Sequence, residues 1–517
     1  MKLKILSVTL LLSTLLLQKN NIYAQDGSLD ITFGNNGIVK SNIGSPYDEI
    51  SSIAIQSDGK IVVVGKSNLN TYSDITIARY LINGTLDNNF GNNGSTTFSY
   101  SSLDDYGVGI VIQNDGKMLI AGTTYDSTKG NQSAILIRYN NNGTLDNTFG
   151  NNGFVVTSIN NYNNICTSIA LQSDGNILLG GYTETCAGGY TQEMFVIRYQ
   201  NNGTLDLTFN SNGIALSNYN AFGVKGSSIV IQSDDKIIIG GNSVSNSNVN
   251  FAITRFNTNG SLDNTFSHDG MDTIFIGGTI DYGTKVALQN DGQIVLAGYS
   301  HNGSNTDFAL VRYNIHGIID SSFGNKGIVT TDISNQNNTL LSLAIQNDNK
   351  IIAAGFSYNG HDYDFTLARY NNNGTLDNSF DSDGILTTDV EGQNDFCSTI
   401  ALQADGKIVV AGSTKTQTNT DFVLIRYLNT DPSNINEHND QTLIAEIFPN
   451  PVNNIITVKL NNQYIGYTYS IINILGKLIK RGSLSTETII PVNDLQSGIY
   501  FLQVEGQRQQ TVKFIKK

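Results

Sequence analysis

The stretch RYNNNGTLDNTFGNNG at 138–153 returns as RYQNNGTLDLTFNSNG at 198–213. It is one of three phrases that recur seven times each. The first is an apolar run ending in Gln, a turn, then a second apolar run, as in IAIQSDGKIVVVG from Ile53. Its glutamines are Gln56, Gln113, Gln172, Gln232, Gln289, Gln346 and Gln403. The second is a short apolar run ending in Arg-Tyr or Arg-Phe, with Arg79, Arg138, Arg198, Arg255, Arg312, Arg369 and Arg426. The third is G-x-L-D-x-x-F, with Asp30, Asp87, Asp146, Asp206, Asp263, Asp320 and Asp377 (Ile319 replaces the leucine once). The spacing is 57 to 60 residues, and self-similarity at a fixed period governs the fold.

Each unit reads as four strands. Strand a precedes the Gln, strand b follows the turn, strand c ends in Arg-Tyr, and strand d follows the third phrase. Asp-Gly between a and b is a hairpin signal. Asp235 and Asn349 replace that glycine twice, and both residue types tolerate positive φ. Strands a and b are apolar on both faces, which predicts burial on both sides. The fold class expected is all-β: a seven-bladed β-propeller closed by an N-terminal strand, followed by a small C-terminal β-sandwich. A β-solenoid is the alternative.

The repeat frame argues for a ring. The chain begins its repeats with the third phrase and strand d, from Gly27 to about Ser41. It ends them with a, b and c at Tyr427. Seven complete blades result only if the first strand d joins the last a, b and c. In six units the Arg precedes the Asp by eight residues, as Arg79 does Asp87 and Arg138 does Asp146. Position 434, eight after Arg426, is Asn. Asp30 is therefore expected beside Arg426, as a structural brace across the ends. The Leu and Phe of the phrase are expected to anchor the c–d loop.

The 517 residues are rich in Gly, and include 24 Tyr, 5 Pro and no Trp. The net charge of −14 is uneven. Residues 445–517 carry 8 basic and 4 acidic residues, whereas 25–444 carry 19 basic and 40 acidic. An acidic body repels phosphate, which excludes nucleic acid as a partner. Met1 to Ala24 holds two early lysines, an apolar run from Ile5 to Leu17 and a small residue before the expected cleavage point. That is the pattern of a signal peptide. The run is too short for a membrane span, and no other apolar run could cross a bilayer. Of the three cysteines, Cys166 and Cys186 flank one hairpin, which leaves a disulfide open, and no metal-ligand spacing appears.

The a–b and c–d turns fall on one face of such a propeller and repeat closely. The b–c and d–a loops fall on the other face and vary, so a ligand site is expected there. Eight residues before each Gln stands a candidate ring: Asp48, Asp105, Asn164, Val224, Asp281, Asn338 and Asp395. Tyr47, Tyr106, Tyr162, Phe222, Tyr282 and Phe396 lie beside it. Carboxylates there could hold calcium, and with aromatic faces a sugar. The competing reading is that they cap the start of strand a by side-chain hydrogen bonds. No catalytic set, metal site or cofactor is assigned. The five histidines are unrelated in position, and no nucleophile-elbow, metalloprotease or P-loop pattern occurs. The ligand expected is an unidentified glycan or protein, with a glycan hydrolase or lyase as the enzymatic alternative.

Seven G-x-L-D-x-x-F copies resemble the delta-60 repeats of bacterial exported proteins over Gly27–Tyr427, which implies a repeated β domain and no activity. A polar stretch at 431–443 reads as a linker. The segment 444–517 then carries Phe448-Pro449-Asn450-Pro451, NILGKLI with Gly476, Leu495 before Gly498-Ile499-Tyr500, and a basic end. It is similar to type A sorting domains of the type IX secretion system. That resemblance implies handling by the type IX secretion machinery of a Gram-negative bacterium and passage through the periplasm. It further implies removal of the domain, and release or attachment to surface lipopolysaccharide.

Overall fold

A computed structural model describes residues 25–68, 71–127, 129–160, 162–184, 192–217, 223–245, 248–429, 445–460, 467–473, 477–505 and 510–517. The chain forms two compact units, 1–431 and 432–517. The expected signal peptide, the linker at 431–443, Cys186, Phe222 and Gly476 lie outside the described residues.

The first unit is all-β, with seven four-stranded antiparallel sheets. In the first blade, strand a is Asp48–Ile55, b is Ile61–Ser67, c is Asp74–Tyr80 and d is Ser95–Phe98. The a–b hairpin is tight: Gln56 N donates to Lys60 O (2.8 Å) and Gly59 has φ +82°. Asp235 and Asn349 take the same left-handed conformation in their copies, with φ 61° and 66°.

Strands b and c carry the core. In b, Ile61, Val62, Val63 and Val64 are fully buried, as are Ile75, Ile77 and Ala78 in c. The two faces of each blade pack on its neighbours, so apolar clusters lie between blades rather than within them. Strand a departs from the expected two-sided burial. In Asp48–Ile55 buried residues alternate with exposed or half-buried ones, because the innermost strand also lines a cavity on the ring axis. That cavity, of ≈ 220 Å³, takes lining residues from all seven blades, including Ser51, Thr167, Thr284 and Ser398.

The last blade pairs Ile38–Ser41 with Thr420–Tyr427, register Ile38↔Ile425, so the N-terminal segment supplies its strand d. Strand a of this blade packs on strand a of the first, and the ring closes.

The second unit holds a three-stranded sheet (Ala445–Phe448, Ile455–Leu460, Glu487–Pro491) and a four-stranded one (Leu478–Ser483, Thr468–Asn473, Gly498–Glu505, Gln510–Lys516). Their inner faces share a core that includes Val452, Ile456, Val458, Ile471, Leu502 and Phe514. The alternating apolar residues of IITVKL and YFLQV supply it, as period-2 patterning requires.

Candidate functional site

The c–d corner repeats one device. Arg Nε approaches its Asp Oδ2 at 2.9 Å for Arg79–Asp87 and 2.7 Å for Arg138–Asp146. Arg426 approaches Asp30 at 2.9 Å, across 396 positions of sequence. Each guanidinium also lies over the phenylalanine of the third phrase, 4.6 Å from the Phe90 ring, 4.4 Å from Phe149 and 4.5 Å from Phe33. These phenylalanines are fully buried. The leucine pairs its backbone with the tyrosine after the Arg, as Leu86 does with Tyr80 and Leu29 with Tyr427.

The Arg has a further contact that its sequence spacing does not reveal. Its Nη1 donates to a carbonyl of the next blade's a–b/c–d face: Arg138 to Asn201 O (2.7 Å), Arg198 to Thr258 O (2.6 Å) and Arg426 to Ile82 O. The brace thus ties neighbouring blades as well as its own corner.

This device sets an acid limit. Burial pushes the Asp263 and Asp377 carboxyls up, but hydrogen bonds from Thr265 and Lys236, and from Lys350 and Ser379, outweigh it. With the neighbouring guanidinium charges they hold both at about 2. Asp30, Asp206 and Asp320 are lowered similarly. Their stabilisation is present above the unfolded carboxyl value near 4 and is lost as pH falls toward 2. Burial raises Asp48, Asp105 and Asp281, so their contribution runs the other way and is lost as pH rises. The braces govern the acid limb. The melting temperature is expected to fall by roughly 10 °C or more between pH 5 and pH 2. Differential scanning calorimetry across that range checks it; a flat profile would contradict the brace.

The candidate ring at the start of strand a points inward. Asp48, Asp105, Asn164, Asp281, Asn338 and Asp395 are all fully buried. Five residues upstream, a d–a loop amide donates to the side chain: Ile43 to Asp48 (3.0 Å), Tyr100 to Asp105 (2.7 Å), Ile276 to Asp281 (2.9 Å) and Val390 to Asp395 (2.6 Å). A strand-b hydroxyl donates to the other oxygen of Asp48 (Ser67, 2.7 Å) and of Asp281 (Ser300, 2.5 Å). Thr124 does so for Asp105. These carboxylates therefore brace the d–a loop, and none is open to a sugar. The expectation of an exposed ligand ring is corrected on that point: each acid sits on a loop that folds over it, so its oxygens meet amides before solvent.

The neighbouring aromatics divide. Tyr47 and Tyr162 are exposed. Tyr106, Tyr282 and Phe396 are half-buried between blades. Tyr106 lies under Lys66 Nζ (5.5 Å), Tyr282 against Tyr299 (5.3 Å), and Phe396 against Phe356 (5.0 Å) and Tyr363 (5.7 Å). Sequence position missed Tyr72, Tyr100 and Phe275, all of which are exposed. They sit in loops of differing length, where no repeat register marks them.

Among the described lining of the axial cavity, Lys285 brings the one charge. Enclosure by protein lowers its ammonium from the ordinary value.

In the second unit, Asn450 of the Phe448–Pro451 motif clasps the last strand. Its Nδ2 donates to Lys513 O (3.0 Å) and its Oδ1 accepts from Ile515 N (2.9 Å). Phe448, Pro449 and Pro451 are exposed beside it. Tyr500 stacks on Phe514 (5.7 Å, 22°) and donates to Gln496 O (3.1 Å), closing the loop before Gly498. The motif thus builds the domain's terminal strand pairing rather than a pocket.

Seven matches to the sequence family described as a domain of unknown function (DUF5122) beta-propeller fall in register with the blades, at 56–90, 113–149, 172–209, 232–266, 289–323, 346–380 and 403–431. Residues 446–517 match the secretion system C-terminal sorting domain. The chain is a DUF5122 β-propeller with a secretion sorting domain. The sorting domain indicates export by type IX secretion to the cell surface or the extracellular space. No curated protein matches the DUF5122 chain.

Three solved structures show how far likeness extends. A polysaccharide lyase, an ulvan lyase, is 12% identical with a TM-score of 0.42, over 76% of this chain and 96% of its own. The β-propeller domain of the Trilobed protease from Pyrococcus furiosus is 11% identical with a TM-score of 0.38, over 76% and 98%. The extracellular domain of a hybrid two-component system from B. thetaiotaomicron is 12% identical with a TM-score of 0.36; the match covers 96% of this chain and 59% of that one. At these scores none bears on what this propeller binds. Among the described residues no helix is long and apolar enough to cross a membrane.

Proposed function

We propose that the propeller is a non-catalytic binding module for a glycan, presented outside the cell, with its site on the b–c/d–a face. One observation supports this above others. Among the described residues of the propeller, five large aromatics are exposed, Tyr47, Tyr72, Tyr100, Tyr162 and Phe275, at 37% to 55%. All lie in b–c or d–a loops. The large apolar residues exposed on the opposite face, such as Ile31, Ile82, Leu207, Ile315 and Ile318, are aliphatic. Aromatic rings offer broad flat contact with a polar tip and are enriched at recognition surfaces. The Asn-, Asp- and Ser-rich loops around them supply hydrogen-bonding groups for hydroxyls.

The rest of the route belongs to the same reading. Residues 1–24 act as a signal peptide into the periplasm and 431–443 as a linker. Removal of 444–517 leaves the propeller released or tied to lipopolysaccharide.

The test screens the purified chain on a glycan array with a reducing-end release assay beside it. Alanine at Tyr72 or Tyr162 is expected to weaken the best glycan by about tenfold each, with no release of reducing ends. Unchanged binding in both variants would reject the face. Release of reducing ends by the unaltered chain would establish an enzyme instead.

A further inference from the structure

Three carboxylates converge where the sixth blade meets the seventh. Asp364 lies at the start of strand c (Tyr363–Tyr370). Asp389 follows strand d (Ile385–Thr388). Asp395 lies at the start of the next strand a (Asn394–Leu402). One oxygen from each falls within 4.8 Å of the others.

Each acid already uses one oxygen on the protein. Asn359 Nδ2 donates to Asp364 Oδ2 (2.9 Å), Val390 N to Asp395 Oδ2 (2.6 Å) and Gly392 N to Asp389 Oδ1 (2.6 Å). The remaining oxygen of Asp364 is orphaned. Asp364 Oδ1 is buried and lacks a hydrogen-bond partner, in a residue 7% exposed, while Asp395 is fully buried beside it. Thr414, opposite Asp395 in the a–b pair, hydrogen-bonds that carboxyl with its hydroxyl.

The same three positions recur at other junctions of this chain and act as controls. Between the seventh blade and the first they are Asp421, Asn42 and Asp48. There Asn42 Nδ2 donates to Asp421 Oδ1 (3.0 Å) and Ser67 donates to Asp48 Oδ1 (2.7 Å), so the oxygens are satisfied. Between the fifth and sixth they are Asp307, Asp332 and Asn338. There Asp307 Oδ1 and Asn338 Oδ1 are again buried without a partner. An amide at the middle position supplies a donor to the strand-c acid; an acid at that position leaves that oxygen without one.

Buried oxygens of like charge are costly unless a proton or a cation neutralises them. Calcium takes oxygens at about 2.3–2.6 Å in flexible geometry, so two of its ligands stand up to roughly 5 Å apart. Magnesium, at about 2.0–2.1 Å, demands a tighter octahedron. We infer that Asp364, Asp389 and Asp395 bind a calcium ion at the junction of the sixth and seventh blades. Asp389 is exposed, so water completes the coordination from that side. The inference stands apart from the glycan reading, since it uses none of the exposed aromatics.

The full chain, stripped by chelator, is titrated with terbium and then with calcium. Phe396 packs on Tyr363 next to the acids, so tyrosine-sensitised terbium emission is expected and calcium should quench it by displacement. Half-saturation by calcium is expected at roughly 10⁻⁴–10⁻³ M, the range of extracellular calcium modules. Asp389→Asn reproduces the arrangement at Asn42 and should weaken calcium by about tenfold or more while the chain stays folded. Asp421→Asn should leave binding unchanged. Absence of a calcium response in emission and melting temperature up to about 10 mM would overturn the site. So would equal affinity in Asp389→Asn, or an equal loss in Asp421→Asn.

Discussion

Arg426→Met is expected to cost about 3 kcal/mol, because it leaves the buried Asp30 carboxylate with only Lys407 Nζ, at 3.5 Å, as its cation. Both side chains are 4% exposed, so water cannot take the place of the guanidinium. The variant also loses the Phe33 contact and the bond to Ile82 O. Arg312→Met is the matched comparison. Its brace to Asp320 also runs from Nε to Oδ2 at 2.9 Å, with the Asp320 side chain 17% exposed, and both residues belong to one blade eight positions apart. Its stability loss should be of similar size, yet the ring stays covalently continuous through that corner. In Arg426→Met the N-terminal segment is held by backbone bonds such as Gly27 N to Leu428 O and Asp30 N to Arg426 O, and by strand Ile38–Ser41. That segment should become the first site of limited proteolysis in Arg426→Met and remain protected in Arg312→Met. Calorimetry with timed proteolysis reads both effects. A loss below about 1 kcal/mol in Arg426→Met, or equal protection in the two variants, would show that the clasp does not depend on this pair.

That comparison also marks what could be read from the chain and what could not. The frame offset between Gly27 and Tyr427 is a counting argument, and counting is insensitive to loop detail. The Arg–Asp spacing of eight survives because both residues sit in a corner of constant length. The Asp48 ring was legible as a register but not as a direction. Whether a carboxylate at the start of a strand faces solvent or an amide depends on how the d–a loop folds back, and Ile43, Tyr100 and Ile276 share no sequence pattern. The acids at 364, 389 and 395 stand on two strands and the loop between blades. No local motif joins them; only the superposition of three registers does. The exposed aromatics escape for the opposite reason, since loops of unequal length carry no register. Strand a was misread because apolar composition alone does not separate a strand between two blades from one along an axial cavity.

A glycine in the middle of each strand b carries the second large effect. Gly298→Ala is expected to cost at least about 3 kcal/mol, since a β-carbon there meets backbone, which cannot turn away. Every strand a has a bulge at one place, shown by the register shifts Ile50/Ser52, Gly283/Lys285 and Cys397/Thr399 among them. A bulge adds a residue to one strand and bends it. Here it turns residues such as Ser51 and Thr284 toward the axial cavity. It also drives the carbonyl before it toward strand b. A β-carbon on Gly298 would lie 1.8 Å from Tyr282 O and 2.8 Å from its carbonyl carbon; on Gly65 it would lie 1.9 Å from Glu49 O, and on Gly412 1.9 Å from Phe396 O. The only relief is to flatten the bulge, which would pull strand a out of the ring of seven. Gly180→Ala supplies the control. It sits in a strand b beside the equivalent Gly181, but its β-carbon would meet only side-chain carbons of Ile229 and Ile239, at 3.2 Å and beyond. Its expected cost is below about 1 kcal/mol. Urea unfolding of the two variants checks the difference. Similar midpoints for both would mean that strand a yields easily and that the bulge does not fix the bore of the ring.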